Sequence, residues 1–196
     1  MKKQPQITEQ TRLNLREAFW TLYCQKETAK ISVKEITDLA GYNRGTFYLY
    51  YKDVYDILDQ IEYEILDKID VMLRQSLPDI AAHDFNSLIK AVMELVQPYA
   101  RYTMVLLGDK GDPRFVTGLK DVLRPVFLSG LDIYSMSFTP YQKELLVEFW
   151  LSGTLAIVMK WIANPQITLE ELITFIAPLI FQEKRLISAT NHSVTK

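Results

Sequence analysis

The sequence predicts an all-α protein: a small N-terminal three-helix head built round a helix-turn-helix, then a larger C-terminal helical bundle, about nine helices in all. Three observations carry this. Apolar residues recur at helical spacing, as in Leu15, Ala18, Phe19, Leu22 and Tyr23, and no stretch alternates with the period of a strand. Helix start signals stand at Ser32, Asn43, Asp53, Thr139 and Thr168, and a stop signal stands at Gly41. The chain has 196 residues, 48% of them hydrophobic, enough for a core without covalent staples.

Residues 1–7 read as a loose arm carrying Lys2 and Lys3. Thr8 opens a helix to about residue 26, whose apolar face covers the back of the next two helices. Ser32, with Glu35 three residues on, has the capping-box pattern, and Val33, Ile36 and Ala40 form one stripe. Gly41 can adopt the left-handed conformation that ends a helix. Asn43 caps a second short helix through Arg44, Thr46, Phe47 and Tyr48, with Phe47 and Tyr51 expected in the core. Asp53 caps a long connector to about Ser76, striped by Ile57, Leu58, Ile61, Ile65, Ile69 and Leu73.

Residues 77–84 then read as a loop, because Pro78 is the first breaker met. A helix follows from Asp84 or Phe85 to about residue 107, bent near Pro98, and a turn from Gly108 to Pro113. The next helix runs to about residue 135 with a kink before Pro125. Thr139, Pro140 and Gln142 open a helix that ends at Ala163, before Asn164 and Pro165. Thr168 and Glu171 open the last helix, with Leu169, Leu172, Ile173, Ile176 and Ile180 on its stripe and Lys184 and Arg185 suiting its end.

Cys24 is the one cysteine, so no intrachain disulfide forms, and with only His83 and His192 no zinc site is expected. No metal and no cofactor is anticipated. No apolar run follows MKKQPQITEQ, so no secretory signal is expected, and the composition suits a reducing cytoplasm. Glu148 and Lys160 interrupt the most apolar stretch, 145–163, leaving it short of the ~20 residues of a membrane span; it reads as a buried helix. A catalytic role is not expected: there is no Gly-rich phosphate loop and no nucleophile–base pair, and Asp109, Lys110 and Asp112 read as a charged turn.

Net charge is −2, yet residues 1–55 hold nine Lys/Arg against six Asp/Glu, while the remainder is acidic. A basic head on an acidic body suits a protein whose head alone meets phosphate. Two short helices across a Gly-containing turn place the second in the major groove of double-stranded DNA. Arg44 can bond guanine O6 and N7 together, worth roughly 1–3 kcal/mol of discrimination; the alternative is a phosphate contact or a solvated charge. Asn43 caps the helix or joins the contact. Gly45 allows close approach, and Thr46 meets phosphate or a thymine methyl. Ser32 and Lys34 sit where the helix dipole favours phosphate, and Lys52 is a further cation.

The residues Ile31-Ser32-Val33, Glu35-Ile36, Leu39-Ala40-Gly41, Gly45-Thr46-Phe47-Tyr48 and Tyr50-Tyr51 resemble the signature of the TetR/AcrR family of bacterial transcriptional regulators. The motif match covers about residues 10 to 60; beyond it the likeness is of size and layout, with looser similarity around GDKGDP and FWLSG to one branch of the family. The resemblance implies DNA-backbone contacts at Tyr48 and Tyr50, the second usually His. Tyr42 stands where the family usually has a small aliphatic residue, and Val54 where it usually has a phosphate-binding lysine that Lys52 can replace.

The division expected is a DNA-binding head at residues 1–52 and a regulatory and dimerisation body at 53–196. The last two helices are broader in apolar face than a peripheral helix needs. Phe149, Gly153, Ala156 and Ile157 on one, with Leu172, Ile173, Ile176 and Ile180 on the other, are expected to form a two-fold four-helix bundle with a second copy; the alternative is a monomer core. A homodimer reads a palindromic operator. The family implies a repressor released by a small molecule bound in the body, here lined by Tyr99, Tyr102, Met104, Phe127, Phe149 and Met159 and suited to an apolar or amphipathic effector. The alternative is a regulator acting mainly through a protein partner, with little or no effector binding.

Overall fold

A computed structural model describes residues 5–81, 99–108, 111–132 and 138–181. All the regular structure among them is helical. Eight helices are described: α1 (Pro5–Tyr23), α2 (Val33–Ala40), α3 (Arg44–Phe47), α4 (Val54–Ala81), α5 (residues 99–106), α6 (Pro113–Asp132), α7 (Pro140–Ala163) and α8 (Leu169–Phe181), with a 3-10 turn at Thr28–Lys30. The chain divides into two compact units, Met1–Ile65 and Leu66–Lys196, with the division inside α4.

In the first unit α1 packs on α2 and α2 on α3. The predicted face of α1 is its buried face: Leu15, Ala18, Phe19 and Tyr23 are in the core. Trp20 joins them, stacked on Tyr23 with ring centroids 5.1 Å apart. Ile31, Ile36, Phe47, Tyr51, Val54, Ile57, Leu58, Ile61 and Ile65 are buried with them. Two ends of α1 differ from expectation. It opens at Pro5 and not Thr8, because proline is tolerated in a first helical turn that has no N–H bonds to lose. It closes at Tyr23 and not residue 26, because the N–H groups of Gln25 and Lys26 both turn back to the Leu22 carbonyl.

Helix α4 also differs. It continues through Pro78 to Ala81, where a loop from residue 77 was expected. Proline's fixed φ is itself helical, so a long helix can pass through it at the cost of one backbone bond and a ring clash with the carbonyl four residues back. Its start agrees: the Asp53 carboxylate accepts the Asp56 N–H at 2.9 Å, and Asp56 accepts the Lys52 N–H at 2.8 Å.

In the second unit α6 packs on α7. Leu73 of α4, Val126 and Phe127 of α6, and Val147 and Leu151 of α7 form a core cluster. Gly118 of α6 lies so close to α4 that an added Cβ would fall 2.7 Å from a Leu66 methyl. Pro125 sits inside α6. Both predicted caps of the last two helices are present. Thr139 Oγ1 accepts the Gln142 N–H at 3.3 Å while Gln142 accepts the Thr139 N–H at 2.9 Å. Thr168 and Glu171 repeat the exchange at 3.2 and 2.8 Å. The indole N–H of Trp161 donates to the Ile167 carbonyl at 2.7 Å and holds the turn between α7 and α8.

Helix α7 was expected to be buried, and within one chain it is not. Only Val147, Leu151 and Leu155 are fully buried along it. Tyr141, Leu145 and Phe149, spaced four apart on one side, are all more than half exposed. By length and composition α7 is also apolar enough to cross a membrane. It carries Glu148, however, whose carboxylate takes bonds from Lys120 and Ser152. The expected helix start near residue 84, the bend at Pro98, and Lys184 and Arg185 lie outside the described residues.

Candidate nucleic-acid interface

The candidate interface is α2, the turn after it, and α3. Ser32 Oγ accepts the Glu35 N–H at 3.3 Å, and Glu35 Oε2 accepts the Ser32 N–H at 3.0 Å and its hydroxyl at 2.9 Å. Lys26 donates to the other Glu35 oxygen at 2.6 Å. The lysine bond first, then the two bonds from Ser32, hold the Glu35 carboxyl at a pKa of about 2. Ser32 therefore serves first as the α2 cap, and its hydroxyl is already engaged. Lys34, the second residue of the helix, is exposed.

Gly41 ends α2 at φ 75°, and both it and Tyr42 direct their N–H groups to the Thr37 carbonyl. That pair of bonds satisfies the terminal carbonyl and reverses the chain. Tyr42 is half-buried and its hydroxyl accepts a bond from Asn14 Nδ2 at 3.0 Å. Asn43 then caps α3: its Oδ1 accepts the Thr46 N–H at 2.8 Å and the Thr46 hydroxyl at 3.3 Å.

Helix α3 has four residues, and Phe47 is its buried one. Arg44 and Gly45 are exposed, Thr46 half-buried. Tyr48 is 59% exposed, with its ring edge-on to Phe47 at 5.4 Å. Tyr50 is half-buried and Lys52 exposed. The two tyrosines thus differ in environment, because positions two apart on a helical turn do not share a face. Of the nine predicted residues, the elements bring Asn43, Arg44, Gly45, Thr46 and Tyr48 onto the short segment of α3 and its exit. Ser32 and Lys34 lie at the start of α2, and Tyr50 and Lys52 between α3 and α4. Val54 is 8% exposed and forms part of the head's core.

Sequence reasoning missed several ties behind this surface. Tyr51 donates to the Arg12 carbonyl at 3.2 Å. Arg16, buried on α1, pairs with Glu64 of α4. An open groove of about 370 Å³ is lined by Arg12, Asp59, Gln60, Tyr63 and Glu64. These partners lie 39 and 48 residues apart for the two pairs, so no local pattern pointed to them.

The other predicted sites fall as follows. Tyr102 and Phe127 are buried, Tyr99 is half-buried, and Met104, Phe149 and Met159 are exposed. Phe149, Gly153 and Ala156 are exposed on α7 and Ile157 is half-buried; on α8, Leu172 and Ile176 are buried and Ile173 half-buried. The side chain of Ile180 lies outside the described residues. Among the described residues no group of three or more His, Cys, Asp or Glu is placed to hold a metal ion.

Residues 83–182 match a TetR C-terminal family model, described as a transcriptional regulator C-terminal region. Over 160 residues the chain is 22% identical to YxbF of Bacillus subtilis (strain 168), described as an uncharacterized HTH-type transcriptional regulator. That match takes in 80% of this chain, which spans only 40% of the length of the relative. Among solved structures, a TetR transcriptional regulator from Streptococcus agalactiae 2603V superimposes with a TM-score of 0.68 at 20% identity, over 90% of this chain and 96% of that one. The fatty acid degradation regulator FadR from Bacillus halodurans gives 0.64 at 16%, over 94% and 99%. The dihydroxyacetone kinase operon activator DhaS gives 0.59 at 18%, over 90% and 97%.

Proposed function

The chain belongs to the TetR family of transcriptional regulators, and from that premise we propose that it is a cytoplasmic homodimer binding a palindromic operator in double-stranded DNA through α2 and α3. The observation that carries this reading is the capped turn between them. It leaves Arg44 and Gly45 exposed at the start of a helix whose other side is anchored by buried Phe47. A guanidinium so placed can take guanine O6 and N7 together. Lys34, Lys52, Tyr48 and Tyr50 flank it as phosphate contacts, with Thr46 and Asn43 beside it, and Ser32 joins them to the extent that its cap bond permits.

The exposed apolar row Tyr141, Leu145 and Phe149 on α7 supports pairing with a second copy. Gly153 continues that row, and among the described residues nothing beyond its own stretch of helix backbone lies within 4 Å of where its Cβ would be. Two α7 backbones can therefore approach there, with α8 completing a four-helix bundle. The two heads then read the two halves of the operator.

The body is proposed to hold an apolar or amphipathic effector near Tyr99, Tyr102, Met104 and Phe127, with Phe149 and Met159 toward the partner. The effector releases DNA only if it binds the DNA-incompetent arrangement more tightly than the competent one. Repression is the default outcome for a regulator whose operator overlaps a promoter. The sign depends on operator position, and DhaS, one of the structural relatives, is itself described as an operon activator. The burial of Val54, where the family usually carries a lysine, favours the second reading, a regulator relying more on a protein partner than on its own DNA affinity.

The test is selection of duplexes from a randomised pool by the full-length protein. A palindrome is expected to be enriched. Arg44→Ala is expected to abolish specific binding at an unchanged melting temperature; footprints identical to the wild type would remove Arg44 from the base contact.

A further inference from the structure

A four-residue helix cannot hold its own direction. It has one turn of backbone bonds, and such a turn is not stable in isolation. Helix α3 has Phe47 as its one buried side chain. Yet the direction of α3 decides where Arg44 points.

On each side of α3 stands a tyrosine whose hydroxyl reaches α1. Before it, Tyr42 accepts the Asn14 amide at 3.0 Å. Asn14 is itself steadied by Gln10, whose Nε2 donates to Asn14 Oδ1 at 2.8 Å. After it, Tyr51 is 2% exposed and donates to the Arg12 carbonyl at 3.2 Å. Burial pushes its phenol above the usual range, so it stays a protonated donor. Arg12 and Asn14 are two residues apart, so both ties end on one turn of α1.

We propose that Tyr42 and Tyr51 are positioning residues: their hydroxyls clamp the two ends of α3 to one turn of α1 and so fix the direction of Arg44. The proposal rests on the DNA-binding reading only for its effect on operator affinity; the clamp itself is a property of the free protein. Tyr42→Phe and Tyr51→Phe isolate the hydroxyls, because the rings stay, including the Phe47–Tyr51 ring contact at 5.7 Å.

Two measurements on the full-length protein test it. The first is amide hydrogen exchange without DNA. In Tyr42→Phe/Tyr51→Phe, the amides of Phe47 and Tyr48 are expected to exchange faster, with those of Leu15 to Phe19 unchanged. Unchanged exchange at Phe47 and Tyr48 overturns the clamp, whether or not the protein binds DNA. The second uses a duplex selected from a randomised pool by the wild type. Each single variant is expected to lose affinity about 5-fold, with binding to a scrambled duplex and the salt slope unchanged. Equal losses on both duplexes, or none, overturn the proposal. Asn14→Ala is expected to match Tyr42→Phe, and the pair together to be no worse than either; full additivity overturns the Asn14–Tyr42 tie. If the wild type selects no duplex, the DNA-binding reading fails and the exchange measurement alone decides the clamp.

Discussion

Asn43 Oδ1 accepts the Thr46 N–H at 2.8 Å and lies 3.1 Å from where a Cβ on Gly45 would sit. One oxygen thus starts α3 and limits what can follow it. Asn43→Ala is expected to destabilise the protein by about 1 kcal/mol, read as a lower denaturant midpoint at constant slope. Asn43→Asp keeps the acceptor and is expected to lose much less. Equal losses for both would show that the cap is not the cause.

Gly41 has φ 75°, and open space surrounds the position of its missing Cβ. Strain is therefore the sole penalty for a side chain there. Gly41→Ala is expected to cost about 1–2 kcal/mol, and Gly41→Asn clearly less, since asparagine visits this region more readily. Chemical denaturation of the two variants checks the order. A neutral Gly41→Ala would mean that the turn relaxes out of the left-handed region.

Glu35 gives the head an acid-sensitive start. Its carboxyl is lowered from 4.5 to about 2, first by Lys26 and then by Ser32. A depressed carboxylate contributes stability above its unfolded value and loses it as the pH falls through the folded value. The window is thus from about pH 4.5 down to about pH 2. Glu35→Gln is expected to flatten urea-denaturation midpoints across that window and to leave their slope with pH above 5 unchanged. A variant as acid-sensitive there as the wild type would assign the effect elsewhere.

Phe149 is 69% exposed on α7, and its ring meets Trp150 edge-on at 5.6 Å. Phe149→Glu removes little buried surface within one chain but would place two carboxylates at a two-fold contact. It is expected to sediment near the chain mass of 22.8 kDa with unchanged helicity, while the wild type sediments at twice that. Operator affinity should fall with the dimer. A wild-type protein that is monomeric at micromolar concentration would remove the pairing role from α7.

The parts of this molecule that announce themselves in sequence are those closed within one turn. Ser32 with Glu35, Thr139 with Gln142 and Thr168 with Glu171 are exchanges over three residues, Asn43 accepts from Thr46 over the same span, and the residue types suffice to place them. The left-handed Gly41 is similar. The ties that orient the candidate interface span 28 residues for Asn14 and Tyr42 and 39 for Arg12 and Tyr51. Nothing in either local segment asks for the other. Pro78 misled for a different reason: the breaker rule is a cost, a lost N–H bond and a ring clash with the carbonyl four residues back, and a long helix near its end can absorb it. Helix α7 misled because apolar residues on all sides fit a buried helix, whereas one side stands bare within the single chain. Periodicity reports that a face is apolar and not what covers it.

The single buried side chain of α3 separates two kinds of selection. Phe47 answers to folding, while Arg44 and Gly45 face outward and answer to whatever they touch. Changes at residue 44 leave the core intact, so its side chain can vary without the head first becoming unstable. The anchored side of α3 is costly to change and its outward side is not.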